Sequence, residues 1–242
     1  MSQRPKIEQF GEAAILISWE SKKIDIDINN TVVQWSKWLY GKYIGELIEI
    51  VPTYHSLAVY FKKKVAVADF LERLKSHSFP NASFPQASYL YKIPVCYDLC
   101  FGLDLSKLSK SKNRPISEII KKHTKPVYTV CFLGFLPGFP YLSGLSEELS
   151  APRKMMPREL IDAGAVAIGG AQTGIYPMDS PGGWNIIGKT PINIFDVSLA
   201  KPSLFKAGDR IQFYGITKTE FDAITEKIKS GNYKLGKTLS DD

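Results

Sequence analysis

The chain has 242 residues, of which 44% are hydrophobic and 12% aromatic, and its formal net charge is +7. This length and composition suit one large or two modest globular domains and exclude general disorder. The best apolar stretch, residues 127–136, is too short to span a bilayer and is followed by Pro137. The first residues carry charge without an apolar segment, so we expect no secretory signal, and we expect no association with a membrane.

The polar composition narrows the classes of ligand. Three cysteines follow no zinc-like spacing and leave one unpaired in any disulfide scheme, so a reduced, cytoplasmic compartment is the simplest interpretation. Six of the 31 basic residues are Arg, and the remaining Lys residues are scattered. Because Arg leads at phosphate and base contacts, we expect a solvated surface and no nucleic-acid ligand. Dispersed His residues and unpaired carboxylates predict no metal site.

The first part of the chain is predicted to be a small α+β unit. In chain order we expect a strand at residues 13–19, a helix opening at Asn29 and Asn30, strands at residues 47–51 and 56–61, and a helix through Val67, Phe70, Leu71 and Leu74. A strand at residues 89–97 can close this unit or begin the next one. The order strand–helix–strand–strand–helix–strand is typical of a ferredoxin-like sandwich.

A Ser/Pro/Asn-rich stretch at residues 76–88 is the predicted boundary, which gives domains at residues 1–85 and 86–242. The second domain is predicted to hold a Lys-rich loop at residues 107–112, a helix starting at Pro115, and a closing helix through Phe221, Ile224 and Ile228, followed by a frayed tail. Between them lie short β-prone runs, at residues 127–133, 166–170, 184–188, 192–197 and 210–215. Such runs separated by turn signals indicate a sandwich or barrel.

Glycine, proline and aromatic residues are concentrated in one segment of this second domain. Between Gly134 and Gly188 lie ten of the 18 glycines and six of the 15 prolines. Glycine lets another backbone or a ligand come close, whereas proline fixes φ and removes a donor. We therefore expect shaped loops in this segment, and we expect the function to depend on them.

Two arginines in this segment are candidate anion-binding residues. Arg153 and Arg158 each follow a proline, and a stiffened backbone limits the entropy lost when a guanidinium binds a carboxylate or phosphate. The alternative is a pair of structural ion pairs to acids such as Glu147 or Asp162. Neutral hydrogen-bonding residues follow in the chain and complete a candidate small-molecule site: Gln172, Thr173, Tyr176 and Ser180.

The remaining candidates have equally open interpretations. The stretch at residues 169–174 lacks the spacing and the Lys of a Walker A loop, so it is a weak phosphate site and can be an ordinary barrel turn. His123 shares a predicted helical face with Ile119 and Ile120, which fits either a half-buried structural histidine or a functional one. No nucleophile and base can be paired, so the catalytic residues stay unknown.

Four ordered blocks make the chain recognisable. They are GFLPGFPYL (residues 134–142), PRKMMPR (152–158), AGAVAIGGAQTGIYP (163–177) and SPGGWNIIGKTP (180–191). Together with AGDRIQFYGI (207–216) and the approach HTKPVYTVCFLGF, they resemble the family of the 5-oxoprolinase B subunit, also called the allophanate-hydrolase subunit 1 or KipI-like family. The similarity covers essentially the whole chain and is strongest from His123 to Pro191.

The resemblance implies an N-terminal ferredoxin-like α+β domain and a C-terminal cyclophilin-like β-barrel. It also implies a C-subunit-like protein as the nearest partner and an A-subunit-like protein as the third member of the complex. Such a complex opens 5-oxoproline to glutamate with ATP, together with Mg²⁺, as co-substrate, and no cofactor is tightly bound to this chain. On this basis the isolated chain is expected to be inactive.

The resemblance also supports assignments of residues to a site shared with the partner. It implies that substrate is bound by the eight residues His123, Arg153, Arg158, Gln172, Thr173, Tyr176, Ser180 and Trp184. An anion-binding turn is expected at Gly169, Gly170 and Gly174, and the partner is expected to contact Pro137, Phe139 and Tyr141. Three alternatives stay open: an inhibitor of a sporulation histidine kinase, a subunit of another allophanate- or urea-type complex, and a small-molecule binder without catalysis.

Overall fold

A computed structural model describes residues 4–62, 65–75 and 88–240 of the chain. The chain divides into two compact units, residues 1–86 and 87–242. Of the predicted linker at residues 76–88, all but Ser88, which begins the first strand of the second unit, lies outside the described residues, as does the boundary expected after residue 85. Within the described ranges, no helix has the length and apolar character that crossing a membrane requires.

The first unit contains one four-stranded sheet and two helices. Its elements are β1 (Lys6–Gln9), β2 (Ala14–Ser18), α1 (Ile26–Tyr43), β3 (Leu47–Pro52), β4 (Ser56–Phe61) and α2 (Val67–Lys75). The sheet has the order β1-β2-β4-β3, and every neighbouring pair is antiparallel. Alternate residues of β2 and β4, such as Ile15 and Val59, are buried against α1 and α2 in a common core.

The sheet order is that of a ferredoxin-like sandwich with one strand drawn from an unexpected place. The strand beside β2 is β1, which precedes the whole βαββα run, instead of a strand that follows α2. Ile7 is the one residue of β1 that packs on the apolar core. A four-residue strand with a single core contact has too weak a pattern for sequence reasoning to find.

Helix α1 begins one turn earlier than Asn29 and Asn30 predict. Asp25 is its N-cap, and the Asp25 carboxylate accepts hydrogen bonds from the backbone N–H groups of Asp27 (2.9 Å) and Ile28 (3.2 Å). Asn29 is instead buried inside the helix, where its amide donates to the carbonyl of Thr53. The sequence signal for a cap was therefore correct in type and wrong in position.

The second unit is built around a β-barrel. Its elements are β5 (Ser88–Cys96), α3 (Leu105–Lys112), α4 (Ile116–Thr124), β6 (Tyr128–Leu133), β7 (Pro140–Ser143), a 3₁₀ turn (Glu147–Leu149), β8 (Arg158–Ile161), β9 (Ala165–Gly169), β10 (Gln172–Ile175), β11 (Ser180–Gly182), β12 (Asn185–Lys189), β13 (Arg210–Ile216), α5 (Lys218–Lys229) and β14 (Lys237–Ser240). Seven strands follow the order β12-β9-β10-β7-β6-β13-β5. Lys189 of β12 pairs with Cys96 of β5 and closes the barrel.

Strand β5 belongs to the barrel. The sequence had left open whether this strand closes the first unit or begins the second. Strand β5 pairs in parallel with β13 over seven residues, from Leu90 with Arg210 to Cys96 with Ile216. Tyr91, Ile93 and Val95, at alternate positions of β5, are buried in the core of the barrel. β14 pairs with residues 88–91 of β5. Strands β8 and β11 form a separate two-stranded ribbon.

Three local predictions in this unit were wrong. Residues 107–112, predicted as a loop, lie in α3, where Leu105 and Leu108 are the only buried side chains among Ser and Lys. Residues 192–197 form no strand and contribute one isolated bridge, between Phe195 and Ser203. The tail predicted as frayed forms β14, whose main-chain pairing with β5 does not depend on an apolar pattern.

Replacing Asp25 by Ala tests the observed start of α1. The unfolding free energy of the first unit should fall by about 1 kcal/mol, because two backbone N–H groups lose their acceptor. Asp25→Asn is the matched control, since an Asn side chain can still cap the helix and should leave stability within about 0.5 kcal/mol. Thermal unfolding followed by tryptophan fluorescence measures both, and an unchanged stability for Asp25→Ala would place the helix start elsewhere.

Candidate functional site

A cavity of about 310 Å³ opens on the second unit. It lies where the loop after β6, the segment before β8 and the turn between β11 and β12 meet. Its lining is mainly aromatic and consists of Phe135, Phe139, Tyr141, Arg153, Lys154, Pro157, Tyr176, Pro181, Gly182, Gly183 and Trp184. A concave apolar site with few polar groups is the usual form of a small-molecule site.

Edge-to-face aromatic contacts build the walls of this cavity. The Phe139 ring is 5.2 Å from that of Tyr176 and 5.4 Å from that of Trp184, at nearly perpendicular angles. Tyr141 meets Trp184 at 5.8 Å in the same way. This geometry is favourable for aromatic quadrupoles and gives rigid walls, because each ring restrains its neighbours.

Glycines make room for these rings, and this explains their concentration in the sequence. A Cβ at Gly169 would lie 2.5 Å from the Trp184 ring, and one at Gly174 would lie 2.9 Å from the Phe139 ring. A Cβ at Gly182 would overlap the hydroxyl of Tyr176. The walls can therefore approach the barrel strands only where the strands have no side chain.

Two of the three glycines predicted to form an anion-binding turn, Gly169 and Gly174, have these packing positions. Gly169 ends β9 and Gly174 lies within β10, so both belong to a paired hairpin. Gly170 occupies the turn itself, with φ +64°, but its N–H donates to the carbonyl of Ala151 at 2.7 Å. The Gly170 N–H is thus already paired, and the anion-binding turn at these three residues stays a prediction.

The segment that carries the two candidate arginines is fixed at several points. Besides the Ala151–Gly170 bridge, the Asn185 amide donates to the Pro152 carbonyl at 2.9 Å, and the Lys154 N–H donates to the Gly183 carbonyl at 2.7 Å. The segment therefore holds its side chains in a set geometry against the turn that carries Trp184.

Asp104 is the residue that sequence reasoning missed at this site. Its carboxylate is 3% exposed and accepts two hydrogen bonds from Arg158 (2.8 and 2.9 Å) and one from Lys154 (2.6 Å). The Ile186 N–H donates a fourth, at 2.8 Å. Burial raises the pKa of Asp104, but these bonds from Arg158, Lys154 and Ile186 outweigh it and hold the pKa below its ordinary value.

The alternative that Arg158 makes a structural ion pair is the one that the geometry supports, although Asp104 takes the place of the predicted acids. Asp162 pairs with Lys189 instead, at 2.8 Å. The only sequence signal for Asp104 was a lone acid before a short polar helix, 50 residues away from Lys154. Arg153, in contrast, lines the cavity, with its guanidinium carbon 5.7 Å from the centre of the Trp184 ring.

Two phenol groups supply neutral polar atoms to the cavity. Burial raises the pKa of Tyr176, and a hydrogen bond from the Trp184 backbone partly offsets this. Burial likewise raises the pKa of Tyr141, against the lowering influence of Arg153. Both phenols therefore keep their protons at neutral pH. Tyr176, which accepts the Trp184 N–H, can offer its own proton to a ligand oxygen.

His123 lies inside the barrel and does not line the cavity. Its ring is fully buried and stacks on Phe213, with ring centres 4.7 Å apart. Tyr97 Oη lies 2.7 Å from Nδ1, and Thr173 Oγ1 lies 2.9 Å from Nε2. Because the Thr173 hydroxyl donates to the Ala167 carbonyl at 2.9 Å, Thr173 accepts from Nε2–H, and Tyr97 donates to Nδ1.

This chain of hydrogen bonds requires a neutral imidazole. Burial lowers the pKa of His123 from 6.5 to about 3. His123 and Thr173, both predicted to bind substrate, are thus brought together as partners of each other in the barrel interior. Their contact with Tyr97 and Ala167 ties α4 to the strands behind the cavity.

The other predicted residues are distributed around the cavity. Gln172 and Ser180 lie outside its lining, and each has a buried side-chain oxygen without a hydrogen-bond partner among the described residues. Phe139 is buried in the cavity wall and Tyr141 is half-buried, whereas Pro137 is exposed. Phe135, at φ +66°, is 63% exposed and is better placed than Phe139 to meet a partner.

Comparison with known proteins assigns the family. The family model for the carboxyltransferase domain, subdomain C and D, matches residues 5–205. The 5-oxoprolinase B subunit of Bacillus subtilis (strain 168) is 34% identical over 239 residues, which cover 94% of this chain and 99% of the relative. The chain belongs to this carboxyltransferase family, as a relative of 5-oxoprolinase B subunits. The Haemophilus influenzae B subunit is 41% identical over 180 residues, or 73% of this chain and 84% of that one.

A solved structure supports the fold of this family member. TTHA0988 is 31% identical and matches with a TM-score of 0.74 over 84% of this chain. The match covers 40% of TTHA0988, so the chain spans about two fifths of that longer protein. The predicted family resemblance is confirmed, as is the α+β fold class with a ferredoxin-like sheet and a closed barrel.

Acid should destabilise the barrel through His123. Between about pH 6.5 and pH 3 the unfolded state binds a proton that the folded state does not, so the unfolding free energy falls as pH falls. The expected slope is about 1.4 kcal/mol per pH unit, with the full stability present above pH 6.5. Denaturant unfolding at several pH values should show that His123→Gln removes this part of the slope. His55→Gln, at a half-buried histidine of the first unit, is the control, and equal slopes for all three proteins would contradict a neutral buried His123.

Adjacent glycines offer a matched test of the cavity wall. Gly169→Ala should displace the Trp184 ring and cost about 1–3 kcal/mol of stability. Gly170→Ala meets open space and should cost about 1–2 kcal/mol, through its left-handed backbone alone. Near-ultraviolet circular dichroism should therefore report a changed tryptophan environment for the first variant and not for the second. Equal spectra for the two variants would mean that Gly169 does not seat Trp184.

Proposed function

We propose that this chain is the B subunit of an ATP-dependent complex that hydrolyses a small cyclic amide, 5-oxoproline, to glutamate. The observation that carries the proposal is a rigid aromatic cavity with Arg153 on its lining, in a chain 34% identical over nearly its full length to a 5-oxoprolinase B subunit. 5-Oxoproline combines an apolar five-membered ring with an amide and a carboxylate, and this cavity combines apolar walls with neutral hydroxyls and a cation.

The cavity suits one part of the proposed reaction. A lactam amide is a poor electrophile, and phosphorylating its oxygen with ATP makes the carbonyl carbon more electrophilic. Water can then add to that carbon, the ring C–N bond breaks to give the amine, and phosphate leaves as the carboxylate forms. Aromatic walls that exclude water would protect such an intermediate until water is admitted for hydrolysis. The cationic side of the cavity would hold the acid group of the substrate while the ring is opened.

ATP, with Mg²⁺, is proposed to be a co-substrate that another member of the complex binds. In this chain the hairpin at Gly169–Gly174 packs aromatic rings, and this supports placing the phosphate-binding loop in a different polypeptide. The proposed partners are a C-subunit-like protein, which would complete the site, and an A-subunit-like protein. That TTHA0988 carries the matched fold within a longer chain is consistent with a second part placed beside this one.

Exposed apolar residues at the cavity rim support a contact with a partner. Met155 is 100% exposed and Met156 is 81% exposed, between Lys154 and Arg158, which Asp104 fixes. Such residues at fixed positions suit a protein interface. Exposed methionines also suit a second candidate function, in which the chain is a regulatory protein that binds a histidine kinase. Their exposure is the reason to retain this second candidate.

Reconstitution tests the proposal directly. Co-expressed with A-subunit-like and C-subunit-like proteins, this chain should form a complex whose ATP hydrolysis depends on 5-oxoproline and yields glutamate. The isolated chain should show no turnover, because the other members supply ATP binding and part of the site. Leaving out each of the three proteins in turn provides the controls.

Two outcomes would contradict the proposal. One is ATP hydrolysis by the complete complex that is unaffected by 5-oxoproline, and the other is full activity of this chain alone. Failure of 5-oxoproline dependence, together with tight binding to a histidine kinase, would favour the regulatory function.

A further inference from the structure

We infer that Arg153, and neither Lys154 nor Arg158, is the carboxylate-binding residue of the cavity, and that the cavity selects a small acid with an apolar body. The inference rests on the proposed function, since that function makes this cavity a place where substrate binds. It goes further by assigning the recognition of the acid group to one side chain.

The charges around the segment single out Arg153. Asp104 takes two hydrogen bonds from Arg158 and one from Lys154, and its side chain is 4% exposed. Because Asp104 already neutralises part of the charge of both cations, a ligand carboxylate beside Lys154 or Arg158 would also be repelled by Asp104. In the described part of the chain, Arg153 has no ion pair and keeps its guanidinium N–H groups for a ligand.

The position of Arg153 is already set before a ligand arrives. Pro152 and Lys154, its two neighbours, are fixed by hydrogen bonds to Asn185 and Gly183. The Arg153 guanidinium carbon lies 5.7 Å from the centre of the Trp184 ring. Within the described residues no hydrogen bond occupies the guanidinium N–H groups, so they are available for a bidentate contact with a carboxylate.

The other walls define what the rest of the ligand must be. Trp184 and Phe139 offer apolar faces, and Tyr176, which also lines the cavity, offers one hydroxyl proton. A compact ring with a carboxylate on one side and a carbonyl oxygen on another satisfies all three features. A neutral ring of the same shape would lack the contact with Arg153.

A pair of probes isolates the carboxylate contact in the isolated full chain. 5-Oxoproline and pyrrolidin-2-one share the same lactam ring, and only the first has a carboxylate. Titrations are followed by the indole N–H signals in ¹H–¹⁵N spectra, with Trp184→Phe assigning the signal of Trp184. Arg153→Gln should weaken 5-oxoproline binding by about 10- to 100-fold and leave pyrrolidin-2-one binding within about twofold.

A second variant distinguishes recognition from support of the fold. Arg158→Gln should lower the melting temperature, because Asp104 loses its bidentate partner, whereas Arg153→Gln should leave the melting temperature unchanged. Arg153→Lys, which keeps the charge without the planar fork, should recover part of the affinity. This crossed pattern is not expected if both arginines have the same role.

The inference is overturned if 5-oxoproline does not perturb the Trp184 signal at saturating concentration, or if Arg153→Gln affects both probes equally. A complex with 5-oxoproline-dependent ATP hydrolysis whose KM is unaffected by Arg153→Gln would overturn the inference and leave the proposed function standing. If Arg153 binds a carboxylate in a complex whose ATP hydrolysis does not depend on 5-oxoproline, the inference about Arg153 would stand and the proposed function would be overturned.

Discussion

The buried carboxylate of Asp104 is the interaction on which the candidate site depends. It joins three separate parts of the second unit: the start of α3, the strand β12 through Ile186, and the segment before β8 through Lys154 and Arg158. A buried acid with four hydrogen bonds tolerates the loss of a partner poorly. It therefore fixes the segment that carries Arg153, and with it one side of the cavity.

Glycine residues determine how the aromatic rings pack on the opposite side of the cavity. Because Gly169 and Gly174 have no side chain, the Trp184 and Phe139 rings can pack directly on the barrel strands β9 and β10. Gly182, in the ribbon strand β11, leaves room for Tyr176, and the three rings meet at nearly right angles. The rigidity of the site thus depends on the barrel and the ribbon together. His123 contributes from behind, as a neutral group that ties α4 to the strands through Tyr97 and Thr173.

The sequence predicted the parts of this protein that depend on local pattern. Apolar periodicity located most strands and helices, and the glycine–proline–aromatic segment identified the region of the cavity. Local pattern could not locate β1 or β14, because main-chain pairing mainly holds these strands. It also could not identify Asp104, because its partners Lys154 and Arg158 are 50 and 54 residues away in the chain. Periodicity placed His123 on a buried face but could not distinguish the barrel interior from the cavity, because both are apolar.

A structure of the chain, or of its complex, with 5-oxoproline bound tests the central claim most directly. The account predicts that the ligand carboxylate lies within about 3 Å of the Arg153 guanidinium, beside Trp184, while Arg158 stays on Asp104. A carboxylate bound to Arg158, with the Asp104 pair broken, would contradict it. So would a ligand bound outside the aromatic cavity.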